Sequence, residues 1–211
     1  MSIRLIAWLL LLFAVPACAG NPAAAFRADG GAQGKAALAL ARAAMQYACR
    51  THAPLPLPAD LPPLLRQRAA VFVSAMDPHT GAPRCCMGTL RPREATLAAE
   101  IISNAYMAAV CDKRFPPLKR RELDSLQIII SIIGETHPIS DPATLDPVRD
   151  GLAVCGPRDT GVVLPGETAD AKTMLAWGRT RAGLSPHDTT SYLAIDAVRY
   201  MEPVTRKDDK S

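Results

Sequence analysis

Residues Leu126 to Ile133 read LQIIISII. Isoleucine fills five of these eight positions, and no apolar-polar alternation runs through them. A strand with one face in water would alternate, so this run predicts a strand buried on both faces. Such a strand needs neighbours at each edge and cover above and below it. The rest of the chain has to supply both.

The cover comes from two helical stretches. Between Lys35 and Thr51, Leu38, Ala41, Met45 and Ala48 recur at helical spacing. Between Glu94 and Cys111, Leu97, Ile101, Ala105 and Ala108 do the same. The neighbours come from shorter runs. Ala69 to Ala75 and Pro83 to Gly88 flank the turn sequence Asp77-Pro78-His79-Thr80-Gly81 and predict a hairpin. Gly151 to Cys155 and Gly161 to Leu164 predict two more short strands, and Thr190 to Met201 a final one. Thr168 is placed to cap a helix that runs to Arg181 and stops at Gly183. Prolines crowd Pro54 to Pro63, and Pro138, Pro142 and Pro147 punctuate another connection, so both are read as loops. Hairpin strands with helices between them point to an α+β fold, a mostly antiparallel sheet packed with helices.

With 211 residues, 49% hydrophobic and 21% charged, the chain has the material for one ordinary core. A formal net charge of +4, no long basic run and 5% aromatics give no surface for stacking on nucleic acid. Leu5 to Val15 is apolar but shorter than the ~20 residues a membrane-spanning helix needs. Arg4 precedes it, Pro16 breaks it, and Ala17-Cys18-Ala19 fits a small-x-small cleavage site. The expected organisation is a signal peptide at 1–19, a flexible Gly/Ala-rich linker at 20–34, a folded domain at 35–204 and a disordered charged tail at 205–211. The expected location is periplasmic or secreted. A lipid anchor on Cys18 is the minority alternative, because Pro16 is an awkward residue for a lipobox.

Beyond Cys18, five cysteines remain: Cys49, Cys85, Cys86, Cys111 and Cys155. An odd count leaves at least one thiol outside any intrachain disulfide. Cys49 and Cys111 fall late in expected helices among small apolar residues and are read as packed thiols. Cys85 and Cys86 are adjacent on the second strand of the hairpin, so their side chains should point to opposite faces. A strained vicinal disulfide, a metal site and simple packing are the alternatives for this pair. No Cys/His cluster has zinc spacing, and no cofactor motif occurs.

Several segments in order resemble the AMMECR-one domain family. That family carries an Arg-Gly-Cys-Ile-Gly-type motif on a hairpin, matched by Arg84-Cys85-Cys86-Met87-Gly88. A helix ending in an Asp-x-Arg-Phe-Pro-Pro-Leu-type motif follows, matched by Asp112 to Leu118. The β-branched strand Leu126 to Ile133, the Leu-Pro segment Gly161 to Pro165 and the helix end Arg181-Ala182-Gly183-Leu184 complete the match, over roughly residues 36–203. The resemblance implies two lobes with a cleft holding the motif cysteine, here Cys86. It also implies a small-molecule ligand and protein partners of the Memo or radical-SAM type. It implies no established reaction. Three departures stand out: Cys85 replaces a glycine, Met87 replaces an isoleucine, and an export signal precedes a domain that is usually cytosolic.

These residues define the candidate site. Cys86 is the candidate nucleophile, because the thiolate is the reactive form and a nearby Arg84 or Arg114 would favour it. A base would come from His52, His79, His137 or His187, and His137, after the buried strand, is the best placed. Arg114 is either an anion clamp or a structural partner of Asp112 or Glu122. Asn104 interrupts an apolar helix face and needs a partner there or points into the cleft. The expected function is binding of a small or anionic ligand near Cys86 and Arg114. Thiol-dependent catalysis and a non-enzymatic interaction module are the alternatives.

Overall fold

A computed structural model describes residues 20–185 and 187–204, so the expected signal peptide and tail lie outside the described residues. The strands are β1 (Val71–Met76), β2 (Pro83–Gly88), β3 (Gln127–Ile139), β4 (Asp150–Cys155), β5 (Thr160–Val163) and β6 (Ser191–Met201). They form one antiparallel sheet in the order β2-β1-β3-β6-β4-β5. The isoleucine-rich run lies near its centre, between β1 and β6, and Ile128 to Ile133 are all buried. This strand then continues past the expected loop to Ile139, taking in Pro138. The β1 partner ends at Ile132, so Pro138 pairs only with Leu193 of β6, and an edge position tolerates the missing N–H.

One face of the sheet is closed by α2 (Ala32–Thr51) and α3 (Leu97–Tyr106). The alanines of α2 at 37, 41, 44 and 48 are fully buried and bring that helix close to its neighbours. Val71, Val73, Ala75, Cys85, Ile128 and Ile130 meet the helices in the largest apolar cluster. Regular helix starts at Leu97 because Thr96 accepts a hydrogen bond from the Ala99 N–H. Its last turn, Met107–Cys111, widens into π-helix.

The stretch expected to be a flexible linker is instead largely helical. Helix α1 spans Pro22–Ala28, with Asn21 accepting from the Ala24 N–H and proline at its first position. Phe26 is buried in the main core, and the Tyr200 hydroxyl donates to its carbonyl at 3.0 Å. Alanine content here supports helix rather than slack, and one buried aromatic is enough to dock it. Gly30 and Gly31, at φ +69° and +92°, make the turn into α2.

The other face follows from the register. Cys86, Ser74, Ile129 and Met201 form one cross-strand row, and Gly88, Phe72, Ser131 and Arg199 form the next row on the same face. Phe72 and Leu90, from the β1–β2 end, share an apolar cluster with Ala153, Val162 and Leu164 from the β4–β5 end. The sheet therefore curls, and its two ends approach over this second face. The two lobes implied by the family resemblance are the two halves of this one sheet. The short helix α4 (Arg120–Leu123) precedes β3, and helix α5 (Ala171–Arg181) backs the β4–β5 half. Its cap is Asp170, which accepts from the Thr173 N–H, and not the expected Thr168, whose hydroxyl bonds the Asp170 carbonyl. A Cβ on Gly161 of β5 would lie 1.9 Å from the Gly178 carbonyl oxygen of α5, so strand and helix touch backbone to backbone.

Candidate functional site

The polar residues of the second face gather where the curled ends approach. Cys86 is half-buried, and its sulfur accepts a hydrogen bond from Ser74 Oγ at 3.0 Å. Burial pushes its thiol up, with the Ser74 bond pulling the other way, so the neutral form prevails near pH 7. Cys85 points to the helix-covered core, and burial pushes it up to about 12. The two thiols lie on opposite faces, as the hairpin register requires, and Cys49, Cys85, Cys86, Cys111 and Cys155 are all free.

The Asp-Lys-Arg-Phe motif holds the back of the Cys86 strand. Asp112 is buried and accepts from the Cys86 N–H at 3.0 Å. Arg114 grips Asp112 with Nε and Nη2, at 2.9 and 2.7 Å, and donates Nη2 to the Cys86 carbonyl at 2.7 Å. Burial raises the Asp112 carboxyl, but the bonds from Arg114 and Cys86 outweigh it and hold the group below the usual carboxylate range. Arg114 is therefore a partner of Asp112, the structural alternative raised for it. Phe115 lies under two guanidinium groups, those of Arg114 and Arg84, at 5.7 and 5.9 Å from its ring centre.

Three other sequence candidates fall elsewhere. Arg84 pairs with Glu122, Nε to Oε1 at 2.5 Å, and lines a smaller cavity with Pro116 and Pro117. Asn104 is buried on the helix-covered side and donates to the Val71 carbonyl at 3.0 Å and to Glu100 at 3.3 Å. It ties α3 to β1 and takes no part in the cleft. His137 sits in the exposed half of β3. Cys86 lies two strands from Ile129, and His137 is eight residues further along β3, on the order of 26 Å at strand rise. It cannot serve as base to Cys86, and His52, His79 and His187 are exposed as well.

Register reveals the residue that sequence reasoning missed. Arg199 of β6 shares the second face with Cys86, one row along. Its Nη1 donates to the Pro165 carbonyl at 3.0 Å, while its buried Nε has no partner among the described residues. No carboxylate contacts it there. Burial lowers its pKa, against the pull of the more distant Glu167 and Cys86. Glu167 is itself held by Arg181 at 2.6 Å. Arg199 lines a cavity of ≈ 740 Å³ with Met76, Val148, Pro165, Gly166 and Met201 among its walls. That volume falls within the usual range for small-molecule sites. A lone arginine in a strand of imperfect alternation gives no sequence signal of this role.

Comparison with known proteins fits this architecture. The AMMECR1 (AMMECR-one) family model matches residues 38–204. The chain belongs to the AMMECR1 family. The crystal structure of the uncharacterized protein PH0010 from Pyrococcus horikoshii superposes with a TM-score of 0.72 at 30% identity, covering 81% of this chain and 91% of that one. A Methanothermobacter thermautotrophicus protein is 32% identical over 164 residues, 73% of this chain and 84% of its own length. A Thermotoga maritima protein is 37% identical over 102 residues, 48% of this chain and 58% of its own length. The AMMECR1 match supplies the α+β fold and no reaction. Among the described residues, no helix of this AMMECR1-family chain is long and apolar enough to cross a membrane.

Proposed function

We propose that this AMMECR1-family protein binds a small anionic ligand in the cavity beside the Cys86 row, with Arg199 as its cationic anchor. The observation that supports it is the state of Arg199: a half-buried guanidinium with a buried Nε that has no partner and no contacting carboxylate among the described residues, on the wall of a ligand-sized cavity. A buried charge without a counter-ion costs free energy, and an incoming anion offsets that cost. The anchor thus differs from Arg114, which already has Asp112. Cys86 lies outside the cavity wall in this proposal, and its neutral thiol, bonded to Ser74 and to no histidine among the described residues, disfavours nucleophilic catalysis. Calorimetric titration of small carboxylates and phosphates tests it: saturable binding that Arg199→Gln abolishes is expected, and binding unchanged in that variant would overturn it.

Export is proposed on the sequence alone, from Arg4, the apolar run Leu5 to Val15 and the Ala17-Cys18-Ala19 site. N-terminal sequencing of the mature protein should begin at Gly20, and an intact Met1 would refute it.

A further inference from the structure

The cavity sits where a strand is missing. Strand β4 pairs with β6 from Cys155↔Ser191 only as far as Asp150↔Asp196. Before Asp150 the chain turns aside, with the Asp150 N–H donating to the Asp146 carbonyl at 2.7 Å and the Gly166 N–H to the Pro147 carbonyl at 2.8 Å. Strand β6 meanwhile runs on to Met201, paired with β3 alone.

The direction of its backbone groups follows from two bonds. The Ile133 N–H donates to Ala70, on the side away from β6, and the Glu202 N–H donates to the Ile128 carbonyl. In an antiparallel ladder the pairs alternate, so Val198 and Tyr200 bond β3 while Ala197, Arg199 and Met201 aim their N–H and C=O groups the other way. Arg27 satisfies the Ala197 carbonyl at 3.0 Å. The backbone groups of Arg199 and Met201 have no protein partner among the described residues. Ala197, Arg199 and Met201 all line the cavity, together with Val148 and Arg149 from the segment that turns aside. Val148 and Met201 are large apolar side chains, 65% and 52% exposed.

We infer that the occupant of this cavity is a short extended peptide with a free carboxylate, which adds to the β6 edge as a continuation of β4. This rests on the anion-binding proposal above and narrows it. The open edge offers alternating donors and acceptors that a peptide backbone matches and a simple anion does not. Arg199 supplies the charge for a terminal or side-chain carboxylate. Val148 and Met201 supply apolar contact for alternate side chains, which project to opposite faces of an added strand.

Calorimetric titration of the full chain with four probes tests it: succinate, an acetylated valine-rich pentapeptide with a free C-terminus, its C-terminal amide, and its analogue N-methylated at alternate amides. The free-acid peptide should bind tightest, with amidation and N-methylation each costing about tenfold, the scale of one lost hydrogen bond to a charged or edge group. Met201→Pro should weaken the free-acid peptide by a similar factor, because proline removes an N–H that points away from β3. Its thermal midpoint reports whether it folds, and the N-methylated probe on the unmodified protein stands independently of that variant. If succinate binds through Arg199 but the peptide binds no tighter, or N-methylation changes nothing, the edge inference falls and the anion proposal survives. If neither succinate nor any peptide binds, both fall. Concentration-dependent dimerisation that peptide does not compete, measured by light scattering, would assign the edge to a second copy of this chain and overturn the inference.

Discussion

The same three strands present two unlike surfaces. Toward α2 and α3, β1, β2 and β3 show Val71, Val73, Ala75, Cys85, Ile128 and Ile130, all buried. On the opposite face, Ser74, Cys86, Ser131 and, on neighbouring β6, Arg199 stand among the apolar Phe72, Ile129 and Met201. The first surface contributes stability through apolar contact. The second carries polar groups, and one of them, Arg199, is a half-buried cation with a buried, unpartnered Nε and no contacting carboxylate among the described residues. Polar groups kept in a position that apolar side chains could fill point to the face that meets a ligand.

Substitutions can break this contrast. The largest loss is expected on the helix-covered face: Ile130→Ala should cost about 3 kcal/mol in urea unfolding, from lost transfer and the cavity left behind. Glu100→Gln should cost about 2 kcal/mol. Its carboxylate accepts from the N–H groups of Arg93 and Glu94, both at 2.8 Å, and from Asn104 and Thr89, and an amide cannot accept them all. Next comes acid sensitivity. Asp112 and Asp196 are both held below the usual carboxylate range, despite burial, by hydrogen bonds from Arg114 and from Arg27 and Asn21. Their stabilisation is complete above an unfolded pKa of about 4 and fades as pH falls through the lower folded values. Chemical denaturation from pH 5 to pH 2 should show that decline, and Asp112→Asn should flatten it. The smallest effect is expected at the cleft: Arg199→Met should leave the thermal midpoint unchanged or raise it, worth up to about 1 kcal/mol. If Arg199→Met instead unfolds the protein, the cleft face is structural and the contrast between faces disappears.

Periodicity made the covered face legible. The central isoleucine strand, the hairpin bearing Cys85 and Cys86, and the helix faces of α2 and α3 all follow from spacing that the structure reproduces. Helix α1 was legible only through its start signal, Asn21 followed by Pro22, which a Gly/Ala-rich surrounding obscured. Pro138 reads as a break, yet it lies in β3, because whether an N–H is needed depends on which strand stands beside it. His137 was misplaced by the same extension of β3. Arg199 was out of reach, since its meaning arises from β3 pairing with β6 and from β4 stopping short of it. Local pattern encodes which face of an element is buried, whereas cleft residues are brought together by long-range pairing.

The contact between Gly161 and Gly178 has a mechanical consequence. With no side chain between them, β5 and α5 are pressed together as tightly as two backbones allow, leaving no cushion for one to slide on the other. The β4–β5 hairpin and its helix therefore move as one plate, carrying Arg181 and its bond to the Val162 carbonyl along. Any widening of the seam must come from bending elsewhere. The turn at Pro165 and Gly166, where φ is +72°, lies inside that plate between β5 and α5, and it is the same turn that touches Arg199. A side chain at position 161 would act as a wedge under that plate, altering the mouth of the cavity from its far side.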